Sequence, residues 1–395
     1  MIRSGALFIL LICVARPCLA QLPFDVRGYY LNVGLWSDST PLSVGGLDDI
    51  QRVRLMSEPH LGPFDLEIAY EHAISYSERP GSAGGGRLLG VIVPGGGEWL
   101  DLQWTVAESD NLVWTHRLDR LSARYSPAAD IEITIGRQTI SWATTLLLTP
   151  ADPFIPFDPS DPFREFRAGV DAVRAQAFPG ALSELELVLR PADTPLGETL
   201  TLLGRGRTVL SGWELSAWAG VLHDGAAAAI AAAGALSATA VRTELSLRDD
   251  GGDVAFRGTA GLDRRFSLRD RDLYVVLEYQ HDGFGATDAG GLPGVLASDP
   301  FARGELQVLG RDEVAAEATY QLHPLISVEL LNLWNLHDGS ALLAPGLSYS
   351  LSNEATARAG AFFGLGRDVG RTALAPRSEY GIVPTIGYLS VSLYF

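Results

Sequence analysis

An all-β, membrane-spanning antiparallel barrel of about sixteen strands is the fold class this sequence predicts. Three observations predict it. Apolar and polar residues alternate with a period of two along one segment after another, long and short connections between these segments nearly alternate, and the chain ends in an amphipathic strand closed by Phe395. A soluble two-sheet sandwich would also alternate. It would hide its apolar face in a dry core, have no reason to lengthen every second loop, and not tolerate mixed charge on the opposite faces of many strands.

Composition agrees. Of 395 residues only 19% are charged, with 43 Gly and 22 Pro, and the mean hydropathy is +0.14. A disordered chain needs low hydrophobicity and high charge. A helical membrane protein needs spans of roughly 20 apolar residues, and the longest apolar run past the N-terminus, residues 226–236, is mostly alanine and about half that length. The net charge of −17 argues against a nucleic-acid partner.

Taken in chain order, residues 1–20 read as a secretory signal peptide. Arg3 precedes an apolar stretch at 6–14, and Cys18-Leu19-Ala20 places small residues before the cut. Both cysteines, Cys13 and Cys18, fall inside it, so the domain from 21 to 395 is expected to hold no disulfide and no cysteine-based metal site. In the first long strand, Phe64, Leu66, Ile68, Tyr70, Ile74 and Tyr76 share one face, and Asp65, Glu67, Glu71 and Ser75 the other. Ile131, Ile133 and Ile135 repeat the pattern, as do Leu185, Leu187 and Leu189, then Leu273, Val275, Leu277 and Tyr279. Strands are expected over 24–36, 50–58, 63–77, 115–126, 130–142, 168–178, 183–190, 209–222, 236–248, 253–263, 271–281, 310–322, 325–336, 341–351, 354–366 and 382–395. The count becomes eighteen if residues 99–107 add a hairpin arm. One connection, 223–235, is long where the alternation wants a short turn.

The chain closes with Gly387, Tyr388, Leu389, Val391, Leu393 and Phe395 in an amphipathic strand. This resembles the closing-strand signal of Gram-negative outer-membrane barrels, which implies recognition by the barrel assembly machinery and an outer-membrane location. Ile135-Gly136-Arg137-Gln138 through Trp142, Pro150-Ala151-Asp152-Pro153-Phe154, Gly169-Val170-Asp171, and the stretch 332–340 with Pro345 and Tyr349 resemble the porin-like and alginate-export-like group. Ala143 stands where relatives often place Gly. The resemblance implies no particular solute.

On the polar faces the candidate pore-lining residues are Glu67, Glu71, Glu132, Arg174, Gln176, Glu184, Glu186, Arg190, Arg242, Glu244, Arg257, Glu278, Glu313, Glu317 and Arg358. Such side chains line a water-filled lumen and set its ion selectivity, or only keep a wide lumen hydrated. Acids outnumber bases, which leans the expected selectivity towards cations. The most unusual segment is 149–167, with Asp152, Asp158, Asp161, Arg164, Glu165 and Arg167 set among prolines that stiffen the backbone. It is expected to fold inward as a constriction, against the plainer alternative of a rigid rim loop. Its three Asp match no calcium-loop spacing, so no metal site is assigned.

His-Asp-Gly occurs at 223–225, 281–283 and 337–339. Asp-Gly at a strand end is ordinary turn chemistry, and the expected strand parity puts the first triplet at the opposite end from the other two. The function these features predict is a porin-like channel for passive passage of polar or charged solutes, without cofactor. Its partners are outer-membrane lipid, the assembly machinery and a small polar solute or polysaccharide. The alternatives are an exporter of an acidic polysaccharide, for which Arg164, Arg167, Arg174, Arg205 and Arg207 would supply the basic constriction, a hydrolase with its site at the rim, and a plugged structural barrel.

Overall fold

The computed structural model describes residues 25–41, 44–79, 97–154, 161–163, 165–369 and 376–395. The expected signal segment lies outside these residues, as do Asp158 and Arg164. No helix among the described residues is long and apolar enough to cross a membrane.

The strands are β1 (Arg27–Ser37), β2 (Gly46–Ser57), β3 (His60–Leu61), β4 (Phe64–Ser77), β5 (Gln103–Glu108), β6 (Leu112–Ala128), β7 (Ile131–Gln138), β8 (Val170–Gly180), β9 (Ser183–Thr194) and β10 (Gly197–Leu210). They continue as β11 (Trp213–Leu222), β12 (Gly225–Leu236), β13 (Thr239–Asp250), β14 (Asp253–Leu268), β15 (Arg271–Asp282), β16 (Asp312–His323), β17 (Ile326–Asn335), β18 (Ala341–Ser352), β19 (Ala355–Leu365) and β20 (Ile386–Tyr394). Two short helices, α1 (Leu292–Leu296) and α2 (Asp299–Ala302), sit in the connection after β15.

Eighteen of the strands pair antiparallel, each with its neighbour in the chain, and β1 pairs β20 to close the ring. The two short strands stand outside it: β3 pairs only with β4 and β5 only with β6. Closure leaves no free sheet edge, which is what a strand-built membrane protein requires. Gly28 and Phe395 exchange both backbone hydrogen bonds, at 2.8 and 3.0 Å, so the two ends of the ring meet at one rim. At that rim the connections are tight. Ser211 and Gly212 both have positive φ, as do Arg269 and Asp270, the geometry that matches a two-residue turn to strand twist. The long connections 78–111, 139–169, 283–311 and 366–385 all leave from the opposite rim.

The expected count of sixteen is corrected to eighteen, and not by the hairpin arm, since β5 only flanks β6. The two missing strands are β10, most of which falls in the expected connection 191–208, and β12, most of which falls in the anomalous connection 223–235. Both were hidden by small residues. Along β10 the residues opposite the inward Arg205 and Arg207 are Gly204 and Gly206, and β12 is almost all alanine. Side chains that small leave no contrast for a period of two to show.

Alternation then divides the wall. Leu185, Leu187 and Leu389 are more than half exposed on the outer face, while Glu186 and Glu278 are nearly fully buried on the inner one. Leu187→Arg should lower the stability of the barrel folded into vesicles by about 2–4 kcal/mol, the cost of a cation on the lipid face near mid-depth. Glu132→Gln, on the inner face, should change it little. Equal losses in a urea titration of the two variants would mean the facing is reversed. Glu186→Arg is not a neutral comparison, because Glu186 holds Arg174, Arg205 and the Trp142 indole.

Candidate functional site

Inner-face charges fall into sectors. On β2, β4 and β6, Arg54 binds Asp119 at 2.6 Å and Glu71 at 3.5 Å, Arg117 binds Glu71 at 2.9 Å, and Arg120 lies between Asp119 and Glu67. Arg52 is 3.7 Å from Glu71. On β6 to β11, Arg124 approaches Glu132, Gln176 donates to Glu184, Arg174 pairs with Glu186, and Arg207 bridges Glu184 and Glu214. Further round, Arg242 pairs with Asp263 at 2.9 Å and Arg257 with Asp282 at 2.8 Å. Glu313 is fully buried and accepts from Tyr380, while Glu317 takes a weak bond from Thr319. Arg190 is buried and donates to the Gly97 carbonyl.

Arg52, Arg54, Arg117, Asp119 and Arg120, the densest network, are absent from the pore-lining residues expected from the sequence. The signal was available: Arg52 and Arg54 are two apart within an expected strand, the spacing that puts both on one face.

The described residues of the connection 139–169 pack against the inside of the barrel wall. On one side, Trp142 donates its indole N–H to Glu186 at 2.9 Å, packs edge-on against Phe154 and lies beside Trp218, whose own indole donates to the Ala151 carbonyl. The amides of 144–148 and 151 go to Glu244 on β13 and Glu278 on β15. On the other side, Arg52 on β2 reaches the Phe163 carbonyl, Arg358 on β19 donates to the Pro162 carbonyl at 2.8 Å, and the Phe163 ring meets Tyr388 of β20 edge-on. Phe166 stacks on Tyr29 with the Arg54 guanidinium 4.7 Å over its ring, and Tyr394 bonds Glu165. In the ring, β2 and β13 are the second and eleventh strands, half a turn apart. Described residues of one connection thus contact walls half a turn apart.

Asp152 pins the fold of this loop. It accepts from Ser141 at 2.8 Å, from the amides of Trp142 and Phe154, and from Arg167 at 2.8 Å. Burial pushes its carboxyl up from the ordinary range, against the opposing pull of Arg167 and these donors. Asp161 caps the Phe163 amide. Among the described residues no metal-ligating group of three side chains forms.

The Gly136-Arg137 and Gly169-Val170-Asp171 stretches form a structural clasp. Arg137 binds both oxygens of Asp171 at 2.8 Å and also Glu98 and the Leu100 carbonyl, while Asp171 takes the amides of Trp99 and Leu100. Gly136 has φ of +114°, and a Cβ there would stand 2.3 Å from the Leu121 carbonyl.

The three His-Asp-Gly triplets lie at the same rim, the one with the long loops. The expectation that the first sits at the opposite end is corrected, because the unrecognised β10 reverses the direction of β11, and the unrecognised β12 restores it for the strands that follow. His223 is buried, accepts or donates to Thr199 at 2.8 Å, and is driven down to about 3 by burial and by Arg190, Arg248 and Arg303, so it stays neutral. His281 Nδ1 and His337 Nε2 lie 2.8 and 2.6 Å from the two oxygens of Asp312, on the outer side of the wall.

No protein-family model matches this sequence, and no curated protein matches it. Solved structures do. A BenF-like porin from Pseudomonas fluorescens Pf-5 is similar over 94% of this chain and 98% of its own, with a TM-score of 0.55 and 11% identity. OccAB1 of Acinetobacter baumannii matches over 94% and 96%, with a TM-score of 0.56 and 8% identity. OccK1 (OpdK) of Pseudomonas aeruginosa matches over 94% and 98%, with a TM-score of 0.53 and 12% identity. The chain has the fold of these outer-membrane porin barrels.

Proposed function

We propose that this protein is a porin-like channel of the outer membrane, through which small polar or charged solutes pass down their gradient without bond chemistry. The observation that carries this reading is one connection whose described residues contact opposite sides of a closed eighteen-strand barrel with a charged inner face. A barrel this wide is not filled by wall side chains alone, so the loop sets the size cutoff. The inner-face charges keep the path hydrated, and the terminal Gly387–Phe395 strand serves as the assembly signal.

Among the similar structures, OpdK has been seen with vanillate and OccK2 (OpdF) of Pseudomonas aeruginosa with glucuronate. Both are small carboxylates, so this class is the first to try here. The polysaccharide-export alternative is disfavoured by the state of its arginines. Arg167 is bound to Asp152, Arg174 and Arg205 to Glu186, and Arg207 to Glu184 and Glu214, which leaves no net positive charge over these four described residues and their partners.

Liposome swelling with the purified barrel tests the reading. Arabinose, glucuronate and vanillate should enter quickly and a tetrasaccharide slowly. Swelling no faster than in protein-free liposomes for every solute would reject a channel in favour of a plugged barrel.

A further inference from the structure

We infer that Glu244 and Glu278 are positioning residues that hold the constriction loop in the lumen, and do not contact permeating ions. Only the consequence for conductance rests on the channel reading above. The segment 144–151 has no strand partner, so its amides need other acceptors. The wall supplies them. Glu244 accepts from Thr144 at 2.9 Å, Thr145 at 3.3 Å and Ala151 at 3.1 Å. Glu278 accepts from Leu146 at 2.6 Å, Leu147 at 2.9 Å and Leu148 at 2.8 Å. Six consecutive or near-consecutive N–H groups thus converge on two carboxylates, an arrangement in which backbone dipoles stabilise an anion.

Three further observations make this a built anchor. Both carboxylates are about 1% exposed, so neither faces the water path. Among the described residues neither forms an ion pair, in contrast to most inner-face acids, so the loop amides are the hydrogen-bond donors that satisfy both carboxyl groups. On β14, which lies between them, Gly261 stands opposite Glu278. A Cβ there would be 2.7 Å from Glu278 Cγ, so the glycine leaves the room Glu278 occupies.

The anchor also fixes position as well as attachment. β13 and β15 are separated by one strand, so the two carboxylates grip the segment at two points along its length. Gln307 makes a third, accepting from the Thr149 amide and donating to the Leu147 carbonyl at 3.0 Å. Charge-assisted bonds are roughly twice as strong as neutral ones. Replacing a carboxylate by an amide should therefore loosen the loop even though an acceptor oxygen remains.

Hydrogen exchange read by mass spectrometry on the full barrel tests this directly, beside single-channel recording. In E244A/E278A the amides of 144–151 should exchange at least tenfold faster than in the parent, with β11 unchanged, and E278Q should fall between. Conductance should rise in the same order. E278Q guards against the double variant failing to fold, since it removes one charge and no volume. Parent-like exchange in 144–151 in both variants would overturn the anchoring role. Faster exchange with parent-like conductance would uphold the anchor and instead contradict the loop as the constriction.

Discussion

A variant in which residues 144–166 are replaced by a short Gly-Ser bridge should conduct several-fold more current per channel than the parent and discriminate less between ions. The segment removed carries the groups that meet walls half a ring apart, from Glu244 and Glu278 on one side to Arg52, Arg358 and Tyr388 on the other. It also carries the apolar side chains of Leu147, Leu148 and Phe163, which belong to one buried cluster with Leu331, Leu342, Phe362 and Ile386. Without them water fills that volume, and the orphaned Glu244 and Glu278 become hydrated and able to contact ions. The wall itself should survive, because its strands pair with one another along their whole length. Heat-modifiable migration in gels checks that the barrel still forms. Parent-like conductance in a folded variant would place the narrowest point in the wall.

Arg137→Ala should destabilise the barrel by about 3–5 kcal/mol, the range for removing one partner of a buried ion pair. Arg137 and Asp171 are both nearly inaccessible, and the guanidinium also satisfies the Leu100 carbonyl. Its loss leaves a buried carboxylate with only the amides of Trp99 and Leu100. Arg137→Lys should recover only part of the loss, since an ammonium cannot present the paired N–H geometry Asp171 now receives. Urea titration in vesicles measures both. A loss below 1 kcal/mol for the alanine variant would mean that the segment 97–102 holds itself in place without the clasp.

The wall was legible wherever its outer face is built of Leu, Ile and Val, because a pleated strand in lipid writes its own period into the sequence. It was illegible at β12, which is mostly alanine, and along β10, where Gly204 and Gly206 interrupt the outward leucines and the contrast fades. That local failure had a distant effect, moving the first His-Asp-Gly triplet to the wrong rim. The prolines of 149–167 suggested an inward constriction or a stiff rim loop, but not the attachments that its described residues make to the wall. Which acids meet loop amides depends on how far the connection reaches across the ring, and no spacing in the sequence records that Leu146 will meet Glu278, 132 positions away. For the same reason Glu244 and Glu278 looked like all the other inner-face acids, although the structure gives them loop amides where their neighbours have arginines.

The most direct measurement is single-channel recording of the purified, unmodified barrel in planar lipid bilayers at 1 M KCl. The expected result is discrete current steps of uniform size that grow linearly with voltage and fall as the salt is diluted. A correctly folded barrel that inserts into the bilayer and gives no steps above the bare membrane would contradict a hydrated path past the loop.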